Sequence, residues 1–233
     1  SNESAIYTKA EVFKISIERP PNKGCYIKDS AIWIKRNGTE QKIIDIKEIK
    51  LLGRHNLENI CAAVMVAVIC NVSLKAIKNV LKRFGGLPHR LEYVGEKNGV
   101  VFYNDSLSTI PQATIQALET LSNTQTLIAG GYDRGIDYSS LAQYLSKDQI
   151  KTLILFPPSG ARIWDAICGV TSKINRPDKF DVKTMREAVR LASDKTLSGK
   201  ICLLSPASAS FGIFKDYKDR GDQFKKEISK LKS

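Results

Sequence analysis

Thr126-Leu127-Ile128-Ala129-Gly130-Gly131-Tyr132-Asp133-Arg134-Gly135 runs an apolar segment straight into a glycine-rich polar loop. Residues 126–129 show no polar/apolar alternation, so a strand there is buried on both faces, as in a parallel sheet covered by helices. The same unit recurs on either side. Residues 100–103 form a short apolar strand, followed by a polar loop and a helix at residues 111–121 with proline at its start. Residues 152–156 are a strand leading into a helix at 160–167, and residues 201–204 are a strand leading into a serine-rich loop. Helices at residues 139–145, 184–195 and 219–231 complete the alternation, which predicts an α/β fold, a Rossmann-like doubly wound parallel sheet.

The preceding part has a different rhythm. Residues 12–18, 24–28, 31–36 and 42–49 read as strands, with a turn at Asp29-Ser30, and residues 56–70 and 73–84 read as helices. Ser73 has N-cap chemistry and Gly85-Gly86 stop the second helix. The break at residues 85–88 divides the chain into residues 1–86 and 87–233.

Composition narrows the class. With 233 residues, 42% hydrophobic and 26% charged, the chain is globular rather than disordered. The longest charge-free stretch, residues 59–74, contains Asn59, Asn71 and Ser73 and falls short of the roughly 20 apolar residues of a membrane span. No basic start leads into an apolar signal region, so a signal peptide is not expected, and Ser1-Asn2 reads as the scar of a cleaved tag. The expected location is the cytosol. Five cysteines without a CxxC pair and two histidines, His55 and His89, without ligand spacing point to neither a disulfide framework nor a metal site. A nucleophile elbow, a dinucleotide fingerprint and a P-loop are all absent. The 36 basic against 24 acidic residues give a net charge of +12. A basic nucleic-acid-binding module is therefore the alternative of a different class, although the basic residues are dispersed and the run at 225–232 sits on an amphipathic helix.

In such a sheet the ligand crevice lies beyond the C-terminal strand ends. Three loops fall there: Asn104-Asp105-Ser106-Leu107-Ser108-Thr109, Gly130 to Gly135, and Ser205-Pro206-Ala207-Ser208-Ala209-Ser210-Phe211. Together they bring a carboxylate, a guanidinium and several hydroxyls, a set suited to anionic ligands.

Two further motifs join them. Gly53-Arg54-His55-Asn56-Leu57-Glu58-Asn59 with Ala62-Ala63, and Leu87-Pro88-His89-Arg90-Leu91-Glu92, combine with the three loops, Tyr217 and Arg220-Gly221. In this order, from about residue 51 to 224, they resemble the Mur ligases of peptidoglycan synthesis, and within them the glutamate-adding branch. The resemblance implies that residues 1–86 are the C-terminal part of the family's central ATPase domain and residues 87–233 its C-terminal, glutamate-binding domain. It implies an ATP-dependent amide ligase acting on UDP-N-acetylmuramoyl-L-alanine. ATP phosphorylates the alanyl carboxylate, the glutamate amine attacks that acyl phosphate, and phosphate leaves. D-Glutamate is the expected substrate; an L-glutamate-adding variant and a ligase for another amino acid remain alternatives. ATP and Mg2+ belong to the full-length enzyme. The chain as it stands lacks the P-loop, so it is expected to hold neither tightly, to be inactive alone, and to need the missing N-terminal part of its own protein. Nucleic acid and membrane are not expected partners.

By the same resemblance Asn56 and Asn59 contact the nucleotide, Arg90 its phosphates and Asp105 its ribose. Thr109, Arg134, Ser210, Phe211 and Tyr217 line the glutamate pocket. No catalytic residue or metal ligand is assigned. Plainer alternatives are helix caps for the two asparagines, a linker ion pair for Arg90, core packing for Phe211 and Tyr217, and an ion pair of Arg134 with Asp133 or Asp137. The chain departs from the family's usual lysine at Leu107 and Arg134 and from its usual cysteine at Ser208.

Overall fold

The computed structural model describes residues 8–147, 149–170, 172 and 176–231, and the chain divides into two compact units, Ser1–Gly86 and Leu87–Ser233. In the first unit, strands β1 (Lys14–Ser16), β2 (Gly24–Lys28), β3 (Ala31–Arg36) and β4 (Thr39–Asp45) form a sheet in sequence order. β1 and β2 are parallel, and the rest are hairpins. Asp29-Ser30 and Asn37-Gly38 all hold positive φ, between 51° and 77°, the backbone of a two-residue hairpin turn whose twist suits the strands. The strand expected over 42–49 stops at Asp45, where a 3-10 turn (Ile46–Glu48) begins.

Helix α1 (Arg54–Ile69) packs on this sheet, with Ile60, Cys61, Val64 and Met65 against Cys25, Ile32 and Ile44. Helix α2 (Leu74–Arg83) starts where the Ser73 side chain accepts from the Ala76 amide, satisfying one of the amides that a helix start leaves without a partner.

In the second unit six strands, β5 (Glu92–Lys97), β6 (Val100–Asn104), β7 (Thr124–Gly130), β8 (Thr152–Phe156), β9 (Asp178–Asp181) and β10 (Ile201–Leu204), pair in the order β5-β6-β10-β7-β8-β9. The sheet departs from the wholly parallel one expected from the sequence, because β5 runs antiparallel to β6 at one edge. Asn98-Gly99, with φ of 53° and 76°, makes a tight hairpin there, and a hairpin can only join antiparallel strands. The other pairs are parallel.

Helices α3 (Pro111–Thr120), α4 (Ser139–Leu145) and α5 (Ser159–Val170) cover one face over Leu118, Leu127, Leu141, Leu153 and Ile163. Helices α6 (Met185–Lys195) and α7 (Tyr217–Ser229) cover the other over Phe102, Ile128, Ile154, Val189 and Phe224. The doubly wound arrangement follows. Because β10 inserts between β6 and β7, neighbouring strands send their connections to opposite faces, β6 to α3 and β10 to α7. That reversal opens a crevice at the C-terminal strand ends. Among the described residues no helix is long and apolar enough to cross a membrane.

Candidate functional site

The loops after β6, β7 and β10 meet at that crevice. The first is organised around Asp105, which is fully buried. Its carboxylate accepts from the Leu91 amide (3.2 Å) and the Ser205 hydroxyl (2.8 Å). Thr114 donates to the Ser205 carbonyl, which leaves the Ser205 proton for Asp105. Leu91 holds a φ of 46°, an uncommon conformation for a leucine, and the strain is sustained by the bond its amide makes. Burial pushes the Asp105 carboxyl above its ordinary range, against the lowering effect of the Ser108 and Ser205 hydroxyls and the Arg90 charge. Arg90 itself donates to Ser108 Oγ at 3.1 Å. The carboxylate expected to meet the ribose thus faces inward in this structure, shaping the turn that presents Arg90.

A stability prediction follows. A folded-state carboxyl raised above its unfolded value stabilises the fold when protonated, and that contribution is lost as pH rises through the folded value. Asp105→Asn keeps the acceptor for Leu91 and removes the desolvated charge. Its urea midpoint at pH 7 is expected to equal or exceed the wild-type midpoint, with the advantage shrinking towards pH 4. A lower midpoint at pH 7 would show that the ionised form is the better partner.

Arg220, at the first turn of α7, binds the loops together. Its side chain is fully buried and donates to Ser106 Oγ (2.9 Å), the Ser106 carbonyl (2.8 Å) and the Ser208 carbonyl (3.1 Å). Ser106 Oγ in turn donates to the Tyr217 carbonyl at 2.8 Å. Ser208 closes a buried hydroxyl chain, 2.8 Å from both Tyr138 OH and Ser159 Oγ.

The second and third loops lie backbone to backbone. Gly130 and Tyr132 amides donate to the Pro206 and Ala209 carbonyls, at 2.8 and 2.9 Å. Gly131 holds a φ of 143°, and a Cβ there would strike the Ala209 carbonyl, so the approach requires glycine. Phe211 is 57% exposed and meets the exposed Tyr132 ring edge-on, centroids 6.1 Å apart. It is not a core residue. Tyr217 is half-buried against His89, with ring centroids 6.0 Å apart, and Ser210 is buried.

Arg134 is exposed and reaches across to the first loop, where it donates to the Thr109 carbonyl at 3.1 Å. The ion pair with Asp133 or Asp137 is not formed. Asp133 binds Arg162 of α5 at 2.6 Å, and Asp137 accepts from Ser139. The structure therefore brings Thr109, Arg134, Ser210 and Phe211 to one rim. Arg162 was not legible as part of it, because it lies in the first turn of α5, 28 positions after Arg134, with no motif around it.

His89 supports this edge from below. It is buried with a φ of 63°, and its Nδ1 accepts from Asn104 Nδ2 at 3.0 Å. The same amide nitrogen donates to Glu92 at 3.1 Å. Burial, reinforced by the Lys225 and Lys218 charges and opposed by Asp222 and Glu92, holds the His89 imidazole below its ordinary range. The unfolded chain therefore takes up the proton first, and the stabilisation present above about pH 6.5 is lost as pH falls towards the folded value. The urea midpoint of the wild type is expected to fall more between pH 7.5 and 5.5 than that of His89→Gln. Equal falls would remove His89 as the cause.

The remaining candidates lie in the first unit. Gly53, not an asparagine, is the N-cap of α1. Asn56 donates from Nδ2 to the Leu52 carbonyl at 2.6 Å, and Asn59 is exposed nearly a turn later. The helix-cap alternative for the two asparagines thus fails.

Known proteins share this architecture. The structure of UDP-N-acetylmuramoylalanyl-D-glutamyl-2,6-diaminopimelate–D-alanyl-D-alanyl ligase from Acinetobacter baumannii superposes with a TM-score of 0.64 at 14% identity, covering 89% of this chain and 44% of that one. UDP-N-acetylmuramate-alanine ligase from Thermotoga maritima gives 0.60 at 17% identity, covering 87% and 44%. By sequence the chain is 41% identical over 96% of its length to a protein of Thermoanaerobacter sp. strain X514 named UDP-N-acetylmuramoylalanine–D-glutamate ligase. It is 38% identical over 97% to one of the same name in Bacillus cereus strain AH187. The chain spans about half the length of these curated relatives, 49% and 48%. The family described as "Mur ligase, glutamate ligase domain" matches residues 89–208, the stretch that carries the first two loops and the start of the third. With its doubly wound sheet, its inserted β10 and the loops gathered at the strand ends, this chain belongs to the Mur ligase family.

Proposed function

We propose that the full-length protein is an ATP-dependent ligase that joins glutamate, as the D isomer, to UDP-N-acetylmuramoyl-L-alanine in the cytoplasm, and that this chain is its glutamate-binding half. The observation that carries the reading is Arg134, a guanidinium on the crevice rim whose carboxylate neighbours are both engaged elsewhere among the described residues. Glutamate brings two carboxylates, and an arginine fork binds one of them through two parallel bonds. Thr109 and Ser210 supply hydroxyls at the same rim and Phe211 an apolar wall, and the resemblance adds Tyr217 to the pocket. The relatives' shared name supports the choice of amino acid.

Residues 87–233 are the glutamate domain in this reading, and residues 1–86 belong to a larger nucleotide-binding domain. The first unit has an apolar groove along α1 and α2, lined by Ala63, Ala67, Val72, Val80 and Leu81, as expected of a face that further chain covers. Asn56, Asn59, Arg90 and the Asp105 turn serve the nucleotide. ATP supplies the phosphoryl group that activates the alanyl carboxylate. Arg90 offers its phosphates a cation held in place by Ser108, and the three loops hold the amine where it can attack. No group of three or more His, Cys, Asp or Glu among the described residues is placed to hold a metal, so none is assigned to Mg2+ in this chain.

The test is phosphate release by the full-length protein with UDP-N-acetylmuramoyl-L-alanine, ATP and each glutamate isomer in turn. Release with D-glutamate only is expected, and none from the 233-residue chain alone. Release with L-glutamate or with another amino acid only would reassign the substrate. Glutamate-independent behaviour, with steeply salt-dependent nucleic-acid binding, would overturn the reading.

A further inference from the structure

We propose that Arg162 is a positioning residue for the adding amino acid: it captures Asp133 and so keeps Arg134 available to a ligand carboxylate. The inference rests on the glutamate reading above and goes beyond it, to a residue that touches no substrate.

The geometry is specific. Asp133 and Arg134 are adjacent in a short loop between Gly131 and Gly135, where opposite charges one residue apart would readily pair. They do not pair in this structure. Arg162 Nη1 donates to Asp133 Oδ1 at 2.6 Å, and the same oxygen accepts from the Gly135 amide at 2.9 Å, so the carboxylate is held from two sides. Arg162 is itself anchored. It projects from α5, a helix rooted in the core through Ile163 and Ile167, and its guanidinium lies 5.6 Å from the centroid of the buried Tyr138 ring, a favourable cation–π distance. Tyr138 OH is tied to Ser208 at 2.8 Å, so the capture point is fixed to the third loop as well as to the helix.

Arg134, by contrast, uses its guanidinium for a single bond, to the Thr109 carbonyl, out of the five N–H donors an arginine carries. Without Arg162, Asp133 is the nearest anion to Arg134 in sequence and becomes an internal competitor for the ligand's carboxylate. Specificity would then be lost by self-pairing rather than by removal of a contact. Asp137, the other acid of this loop, accepts from the Ser139 amide at 2.9 Å and the Ser139 hydroxyl at 2.6 Å, which leaves Asp133 as the competitor that Arg162 must hold.

The experiment is a small mutant set in the full-length enzyme, with Arg134→Ala as the reference for the glutamate reading. Arg162→Ala is expected to raise the glutamate KM about three- to fivefold, the scale of one partly exposed charge pair gained by the competitor, with kcat and the ATP KM unchanged. Adding Asp133→Asn to Arg162→Ala removes the competitor and keeps an acceptor for Gly135, so the KM is expected to return to near the wild-type value. A merely structural role for Arg162 predicts no such rescue. If Arg134→Ala raises the KM while Arg162→Ala does not, or if Asp133→Asn fails to rescue, the inference is overturned and the glutamate reading stands. If Arg134→Ala itself leaves the KM unchanged, Arg134 is not the group that holds the glutamate carboxylate. The capture is then judged by the side-chain Nε–H resonance of Arg134 in the 233-residue chain. A shift in Arg162→Ala that reverses on adding Asp133→Asn supports it, and an unmoved resonance overturns it.

Discussion

Arg134→Ala in the full-length enzyme is expected to raise the glutamate KM by about two orders of magnitude, leaving the KM values for ATP and the uridine nucleotide nearly unchanged. The magnitude follows from the loss of about 2–3 kcal/mol of charge-assisted hydrogen bonding, at roughly 1.4 kcal/mol per tenfold. Three features of the structure concentrate this effect on one side chain. Leu107, in the facing loop, carries no charge. Arg162 is spent on Asp133. Arg134 spans from the second loop to the Thr109 carbonyl of the first, so it stands across the rim. Arg134→Lys keeps the charge but offers a point cation in place of a planar fork, and an intermediate KM is expected. A KM unchanged in Arg134→Ala would show that the glutamate carboxylate is held by other groups.

Much of the second unit is legible in the sequence, and the exceptions share a cause. Strands β6, β7, β8 and β10 are buried by sheet neighbours and helices, so each reads as an apolar run, and the polar loops at their ends stand out against it. The two edge strands carry no such signature. β5, Glu-Tyr-Val-Gly-Glu-Lys, has a register shift beside Gly95, and β9, Asp-Lys-Phe-Asp, is three-quarters charged. Each pairs on one side only, and polar side chains at an edge discourage pairing with another chain. The β5–β6 hairpin went unread with β5, although Asn98-Gly99 turns it with both residues at positive φ. The site divides in the same way. Local motifs named Asp105, Arg134 and Ser210, whereas Arg162 and the partners of Arg220 depend on contacts across 12 to 114 positions, which no local pattern encodes. Motif reading also placed Asp105 against a ligand, and only packing shows its carboxylate turned inward.

The largest stability effect is expected at Arg220. Its guanidinium is fully buried and meets no carboxylate among its hydrogen-bond partners, which are one hydroxyl and two carbonyls. Burial lowers its pKa to about 9, so it stays charged at neutral pH, and the desolvation it suffers must be offset by those three bonds. Arg220→Ala removes all three, leaves the Ser106 and Ser208 carbonyls short of donors, and opens a cavity the length of an arginine stem. Each unsatisfied buried carbonyl costs about 1–3 kcal/mol and the cavity adds to that, so a loss of about 3–5 kcal/mol is expected. For a unit of this size such a loss lowers Tm by roughly 10 °C or more. Arg220→Lys separates charge from geometry, because one ammonium cannot reach three acceptors that a planar fork spans. If geometry governs, the lysine variant keeps less than half of the lost stability, and if charge governs, it recovers most of it. The loops should fail in a definite order as well. Ser106 and Ser208 are the points at which Arg220 ties the loops after β6 and β10, so amide exchange in Arg220→Lys should rise at residues 105–109 and 207–211. It should change little in β8 and α5, which Arg220 does not touch. Uniform acceleration across the unit would instead mean that Arg220 acts on global stability alone and does not organise the crevice.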